Sequence, residues 1–262
     1  MPNTPKMEIV RAERDNLLAL CKQLSPEEWS APSDCAGWTV QDVIAHLASI
    51  AHGGLVPWQL AKGKTGDEIN EKMVAARRGR SSAEILREFE LWTGRFVKAV
   101  GFLQLPVLRD IPVPLPGIGR YPIGMLANST VFDVYLHMRY DILTPVGPVD
   151  RRVPEPPAGA VETILEWIRL GLPQMCREKL LWLKDPVVLE LTGPEGAVWR
   201  VQPRPGRIAE VIRDDSAMAP ARITTRADDF IVWSTRRRDW REFTVKLEGE
   251  IAERFCDSVH IV

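Results

Sequence analysis

The sequence predicts a helical bundle followed by a smaller α+β unit. Three observations predict it. Apolar residues recur at helical spacing through the first half, prolines then gather in two clusters, and short β-rich runs follow around tight turns. The chain has 262 residues, 45% hydrophobic and 26% charged, which is the balance of an ordinary globular protein. At about 100–150 residues per domain, that length holds two domains, each able to bury its own core.

The elements follow in order. Ile9, Val10, Leu17, Leu18 and Leu20 line one face of a first helix over Met7–Leu24. Ser25-Pro26-Glu27-Glu28 supplies an N-cap, a proline at the first helical position and early acids. Thr39-Val40-Gln41-Asp42 is a capping-box start for a helix running through His46 to about Ala51. Ile85, Leu86, Phe89, Trp92 and Phe96 mark a helix over Ser82–Val100, and a fourth runs from about Gly124 to Ile142. Four principal helices joined by loops make a bundle.

Proline continues neither a helix nor a central strand, so both proline clusters read as connections. The first is Pro106, Pro112, Pro114, Pro116 and Pro122; the second is Pro145, Pro148, Pro154, Pro156 and Pro157. The second precedes a change of texture, which makes 148–157 the expected linker between domains 1–147 and 158–262. Beyond it, a helix over Val161–Leu183 is expected to be interrupted near Gly171 and Pro173. Val187–Leu191 and Val198–Val201 flank Gly193-Pro194-Glu195-Gly196 as a hairpin. Arg207–Arg213 and Ala221–Thr225 are further strand candidates. Ala227–Arg237 is expected to be helical, Phe243–Leu247 a strand and Ile251–Phe255 a last short helix.

Charge and composition exclude several classes. A formal net charge of −1 lacks the basic excess of a nucleic-acid binder. No stretch approaches the roughly 20 apolar residues of a membrane helix. Met1–Lys6 leads into a charged segment without the apolar core of a signal peptide. Cys21, Cys35, Cys176 and Cys256 are scattered and form no C-x-x-C pair, neither a zinc ribbon nor a disulfide framework. A cytoplasmic location and no nucleic-acid or membrane partner are therefore expected.

The chemistry concentrates on Asp133-x-x-x-His137, with Asp141 one turn further. Residues four apart share a helix face, so a carboxylate and an imidazole can address one point. Both are good ligands for zinc and related divalent ions. His46 on the second long helix is the natural partner, since bundles build metal sites from facing helices. Taken alone, the spacing is also that of a structural histidine. His46, among Val43, Ile44 and Leu47, also reads as a packed core-edge residue. Asp42 is better explained as a capping acid than as a ligand.

A family resemblance bears on that choice. Leu24-Ser25-Pro26-Glu27-Glu28-Trp29, then Cys35-Ala36-Gly37-Trp38-Thr39-Val40-Gln41-Asp42-Val43-Ile44-Ala45-His46-Leu47-Ala48, resembles the opening of the mycothiol-dependent maleylpyruvate isomerase family. Glu68-Ile69-Asn70 and Ala76-Arg77-Arg78 resemble its next segment, and Asp133, His137 and Asp141 fall on its fourth-helix pattern. The likeness covers roughly residues 7–143 and implies a DinB-like metal-binding four-helix bundle. It implies His46, Asp133 and His137 as metal ligands, zinc being the first candidate, and Asp141 as the residue that orients His137. The family usually carries Glu where this chain has Asp133, which shortens the carboxylate's reach by one methylene.

The second half resembles, more loosely, a sterol-carrier-protein-like α+β domain. It does so through Ala221-Arg222-Ile223-Thr224-Thr225, Ala227-Asp228-Asp229-Phe230-Ile231-Val232-Trp233 and Val245-Lys246-Leu247-Glu248-Gly249-Glu250.

Two basic clusters read either as solvated helix ends or as carboxylate readers, because Arg forks bind carboxylates bidentately. These are Arg77, Arg78 and Arg80, and Arg236, Arg237, Arg238 and Arg241. Arg77 and Arg78 are the first candidates for binding substrate or thiol. No cysteine has a histidine near it in sequence, so cysteine catalysis is not expected. The resemblance thus implies a divalent-metal enzyme using mycothiol or another low-molecular-weight thiol. Its chemistry would be isomerisation or S-transfer on a small anionic electrophile. A hydrolase using metal-bound water and a non-catalytic small-ligand-binding protein are the alternatives.

Overall fold

Side-chain caps decide where the helices of the first half begin. Helix α1 spans Pro5–Cys21. Ser25 caps α2 (Pro26–Ser30), and Thr39 caps α3 (Val40–Leu55). Thr65 caps α4 (Gly66–Ala75), and Ser81 caps α5 (Ser82–Phe102). Three of these are reciprocal boxes in which Glu28, Asp42 or Glu84 returns a carboxylate to the cap's own N–H. Asp42 therefore does the capping work its spacing predicts. Helix α4 is absent from the expected elements, because its ten residues carry only two buried apolar side chains, Met73 and Val74.

The computed structural model describes residues 5–59, 62–63, 65–204, 209–216 and 218–262. The chain divides into two compact units, Met1–Ala158 and Gly159–Val262.

In the first unit, the helix expected over 124–142 is three pieces. A 3₁₀ turn at Ile123–Met125 leads into α6 (Leu126–Leu136), which widens into a π-helical turn over His137–Ile142. The first proline cluster is also more ordered than a connection. Pro112–Leu115 (β1) pairs antiparallel with Gly119–Pro122 (β2), Pro112 opposite Pro122 and Pro114 opposite Arg120. Both strands of an isolated ribbon have a free edge, so a proline without an N–H is tolerated there.

Helix α3 is the centre of this unit. Val43, Ile44 and Leu47 meet Leu17 of α1, Ile85 and Phe89 of α5, and Val134 and Met138 of the last helix in one buried cluster. An ion pair also lies in the interior. Arg139 of the π turn reaches both carboxylate oxygens of Glu13 on α1, at 2.8 and 3.0 Å, and neither side chain is more than 5% exposed.

In the second unit, α7 (Ala160–Met175) runs straight through Gly171 and Pro173 instead of breaking there. Pro173 lies in its last turn, where little helix remains to disrupt. Its N-terminal residue Gly159 has no side chain to cap with. Glu195, held at φ 61° in the β3–β4 turn, accepts the N–H groups of Gly159 and Glu162 instead.

The sheet comprises β3 (Val187–Thr192), β4 (Ala197–Gln202), β5 (Glu210–Arg213), β6 (Ala221–Arg226) and β7 (Lys246–Glu248), in the order β5-β4-β3-β6-β7. Only β3 and β6 pair parallel among these described strands. Residues 207 and 208 of the expected fifth-strand run lie outside the described residues. The strand expected at Phe243–Leu247 is shifted to Lys246–Glu248. Helices α8 (Ala227–Ser234) and α9 (Ala252–Ser258) follow β6 and β7. Trp199, Phe230 and Trp233 stack edge-to-face at 5.7 and 4.8 Å in the core of this unit.

Candidate functional site

Two buried histidines from different helices meet in the first unit. His46 sits two turns into α3, downstream of the Thr39–Asp42 box. His137 is the first residue of the π turn. Their ring centroids are 5.2 Å apart in an edge-to-face arrangement. The Trp38 ring lies 5.2 Å from His46 on another side, and its indole N–H donates to Glu71 Oε2 at 2.8 Å. That hydrogen bond holds the Glu71 carboxyl below the ordinary glutamate range.

Asp141 controls His137. Its Oδ2 lies 2.6 Å from His137 Nδ1, and the Asp141 side chain is 2% exposed. An ionised carboxylate only accepts, so opposite one Nδ1 is the donor, and in the neutral ring this leaves the Nε2 lone pair for a ligand. The Asp141 carbonyl also accepts the Asp34 N–H at 3.0 Å, tying the loop before α3 to the π turn. In that loop, the Ser33 hydroxyl donates to the Trp38 carbonyl at 2.9 Å and accepts the Cys35 N–H at 3.2 Å. The result is that Cys35 Sγ stands 3.8 Å from His137 Nδ1.

Cys35, His137 and Asp141 thus present three potential ligand atoms within 4.8 Å of one another. Cys35 could not have been found from its neighbours in sequence. A loop fold, and the bond from the neighbouring Asp34 N–H to the Asp141 carbonyl 107 positions further on, bring it there. The other thiols are inert: burial pushes Cys21 and Cys256 up to about 12 and raises Cys176 as well.

Asp133 lies one turn before His137 on α6, half-buried, and lines a small cavity with Leu47 and Ala51 of α3 and Phe89 and Thr93 of α5. Arg77 is committed within the unit. Its Nε and Nη2 reach Glu88 Oε1 at 3.0 and 2.6 Å, and its Nη1 donates to the Met73 carbonyl. Arg78 pairs with Glu71 at 2.9 Å and approaches Asp42 at 3.6 Å. In the second unit, Arg241 binds Asp257 and Glu253, and Arg236 binds the Asp257 carbonyl.

Residues 10–104 match the mycothiol maleylpyruvate isomerase N-terminal domain. This part of the chain is similar to that domain. Within the matched residues lie Cys35, His46, Arg77 and Arg78, whereas Asp133, His137 and Asp141 lie beyond them.

Crystal structures of a mycothiol-dependent maleylpyruvate isomerase and of its His-to-Ala mutant share the fold of the whole chain. Their TM-scores are 0.58 and 0.57 at 16% identity, with 95% of each chain covered. Two uncharacterized proteins of Mycobacterium tuberculosis, from strains CDC 1551 and H37Rv, are each 23% identical over 261 residues. The match spans 96% of this chain and 92% of each relative. No helix among the described residues is long and apolar enough to cross a membrane.

Proposed function

We propose that the protein is a divalent-metal enzyme of the maleylpyruvate isomerase type. It would use a low-molecular-weight thiol, mycothiol or an analogue, on a small anionic electrophile, by isomerisation or S-transfer. The domain 1–147 would carry the metal and 158–262 would complete the enzyme. The observation that carries this reading is the His46–His137 pair with Asp141 behind it.

With metal–nitrogen bonds of about 2.0–2.1 Å and a tetrahedral angle, two imidazoles on one ion place their ring centroids about 5 Å apart. The two rings here are 5.2 Å apart. His46, Asp133 and His137 would hold the ion, two nitrogens and one oxygen, a set that leaves coordination positions open; this requires the three to converge, since among the described residues only Cys35, His137 and Asp141 gather ligand atoms within 4.8 Å. When bound, such an ion supplies Lewis acidity that keeps a thiol deprotonated near neutral pH.

The chain's own contributions are positional. Asp141 fixes the His137 tautomer by accepting Nδ1–H, as carboxylates behind metal-bound histidines do. Trp38 packs beside His46 with ring centroids 5.2 Å apart. A π turn at the site also fits, since such turns gather at functional positions. Arg78, 43% exposed, is the better placed of the two candidate arginines to meet an anion, because Arg77 is spent on Glu88.

The test is metal content by mass spectrometry of the purified protein and of His46→Ala, His137→Ala, Asp133→Ala and Cys35→Ser variants. One equivalent of divalent ion, lost in the first three and kept in the fourth, is expected. Retention in His46→Ala and Asp133→Ala with loss in Cys35→Ser would move the site to Cys35, His137 and Asp141. With Co²⁺ in the Cys35→Ser protein, added thiol should produce a sulfur-to-metal charge-transfer band. Its absence would sink the thiol mechanism.

A further inference from the structure

A second concave site lies where the end of α3, the end of α4 and the first half of α5 meet. It is a cavity of 460 Å³ that neither His46 nor His137 lines. Small-molecule sites span roughly 300–1,000 Å³. Lys72, Arg77, Arg80 and Arg87 line it against one carboxylate, Glu88. That carboxylate is already engaged: Arg77 takes it through two nitrogens and Arg80 Nη1 reaches it at 2.6 Å. Lys72 is paired with Glu68, so the excess positive charge of the wall rests on the arginines, to which the exposed Arg87 adds. A concave surface with an excess of one sign of charge concentrates counter-ions.

The rest of the wall is flat and apolar. His52 stacks on Trp92 with ring centroids 3.8 Å apart and planes 13° from parallel. Leu91, on α5 beside Trp92, is 47% exposed and adds an apolar side chain to the wall. His52 Nδ1 is buried in this wall, 3.7 Å from Glu88 Oε1, without a hydrogen-bond partner among the described residues.

We propose that this cavity binds a small planar organic acid, its carboxylate on Arg87 and Arg80 and its flat body against Trp92 and Leu91. Guanidinium groups fit carboxylates bidentately, and since His52 stacks on the Trp92 ring and the Arg95 guanidinium lies 5.1 Å over it, a planar ring would meet the indole by its edge. Binding here is separate from the metal chemistry above and does not depend on it.

Calorimetric titration of the intact chain with 2-naphthoate tests this, with cyclohexanecarboxylate and inorganic phosphate as comparison ligands. Saturable binding of 2-naphthoate is expected. It should weaken at least tenfold in Arg87→Gln and in Trp92→Leu, each confirmed folded by circular dichroism, and be unchanged in His137→Ala. Cyclohexanecarboxylate and phosphate should bind at least tenfold more weakly than 2-naphthoate. No saturable binding, or equal affinity in both cavity variants, would overturn the site. Phosphate binding as tightly as 2-naphthoate would overturn the planar-acid assignment, and loss in His137→Ala would move the acid to the histidine pair.

Discussion

Asp141 and Trp38 show how single side chains set the state of their neighbours. Asp141 engages His137 Nδ1 at 2.6 Å in a buried setting, so the orientation of the imidazole rests on one carboxylate. Asp141→Asn should keep the fold and lower divalent-metal affinity about 10–100-fold, read by competition with a chromophoric chelator. Unchanged affinity would show that Asp141 does not orient a ligand. Trp38 acts on Glu71 through its indole N–H. In Trp38→Phe the Glu71 carboxyl should titrate higher, towards the ordinary range, in an NMR pH titration; no change would refute that cause. The residue types at positions 38, 46, 133, 137 and 141 were legible in the sequence. The approach of Cys35 to His137 was not, because it depends on hydrogen bonds between a loop and a distant helix.

The π turn and the buried ion pair give the element scale its clearest case. Arg139 anchors the π turn to α1 through Glu13, and its guanidinium also lies 4.4 Å from the Tyr135 ring centroid. Burial raises the Glu13 carboxyl pKa, while pairing with Arg139 opposes that rise. Arg139→Met leaves Glu13 unpaired in the interior and should cost about 3–5 kcal/mol in urea unfolding. Adding Glu13→Leu should recover a large part, since a buried pair replaced by apolar groups is often neutral. If the double variant is no better than the single one, packing and not charge decides the site.

Helix starts were readable because caps are local, a hydroxyl and an acid three residues apart. The π turn, the β1–β2 ribbon and the continuity of α7 through Pro173 were not, because neighbours outside each segment stabilise them.

At the scale of the whole molecule, acid response follows from carboxylates held below their ordinary range in both units. Glu28 is held by Arg151 and the Ser25 N–H, Glu71 by Trp38, and Asp257 by Arg241 and Trp240. A carboxylate with a lowered folded pKa stabilises the fold fully above its unfolded pKa. That contribution disappears as pH falls through the folded value. The urea midpoint should therefore hold near neutrality and drop as pH falls below the usual carboxylate range. Asp257→Asn should be less stable than the native chain at neutral pH, with the difference shrinking on acidification. A difference independent of pH would show that the Asp257 charge is not the cause.

The sequence by itself determined the helical half, the sheet half, most helix starts and the residue types that could hold a metal. Those properties come from periodicity, caps and side-chain chemistry, which operate within a few residues. Tertiary structure alone decided which of those side chains meet. It set His46 beside His137, brought Cys35 to the same imidazole, committed Arg77 to Glu88, and opened a cationic cavity beside Trp92. Contacts of that kind join residues far apart in the chain, and their geometry is fixed only when the helices pack.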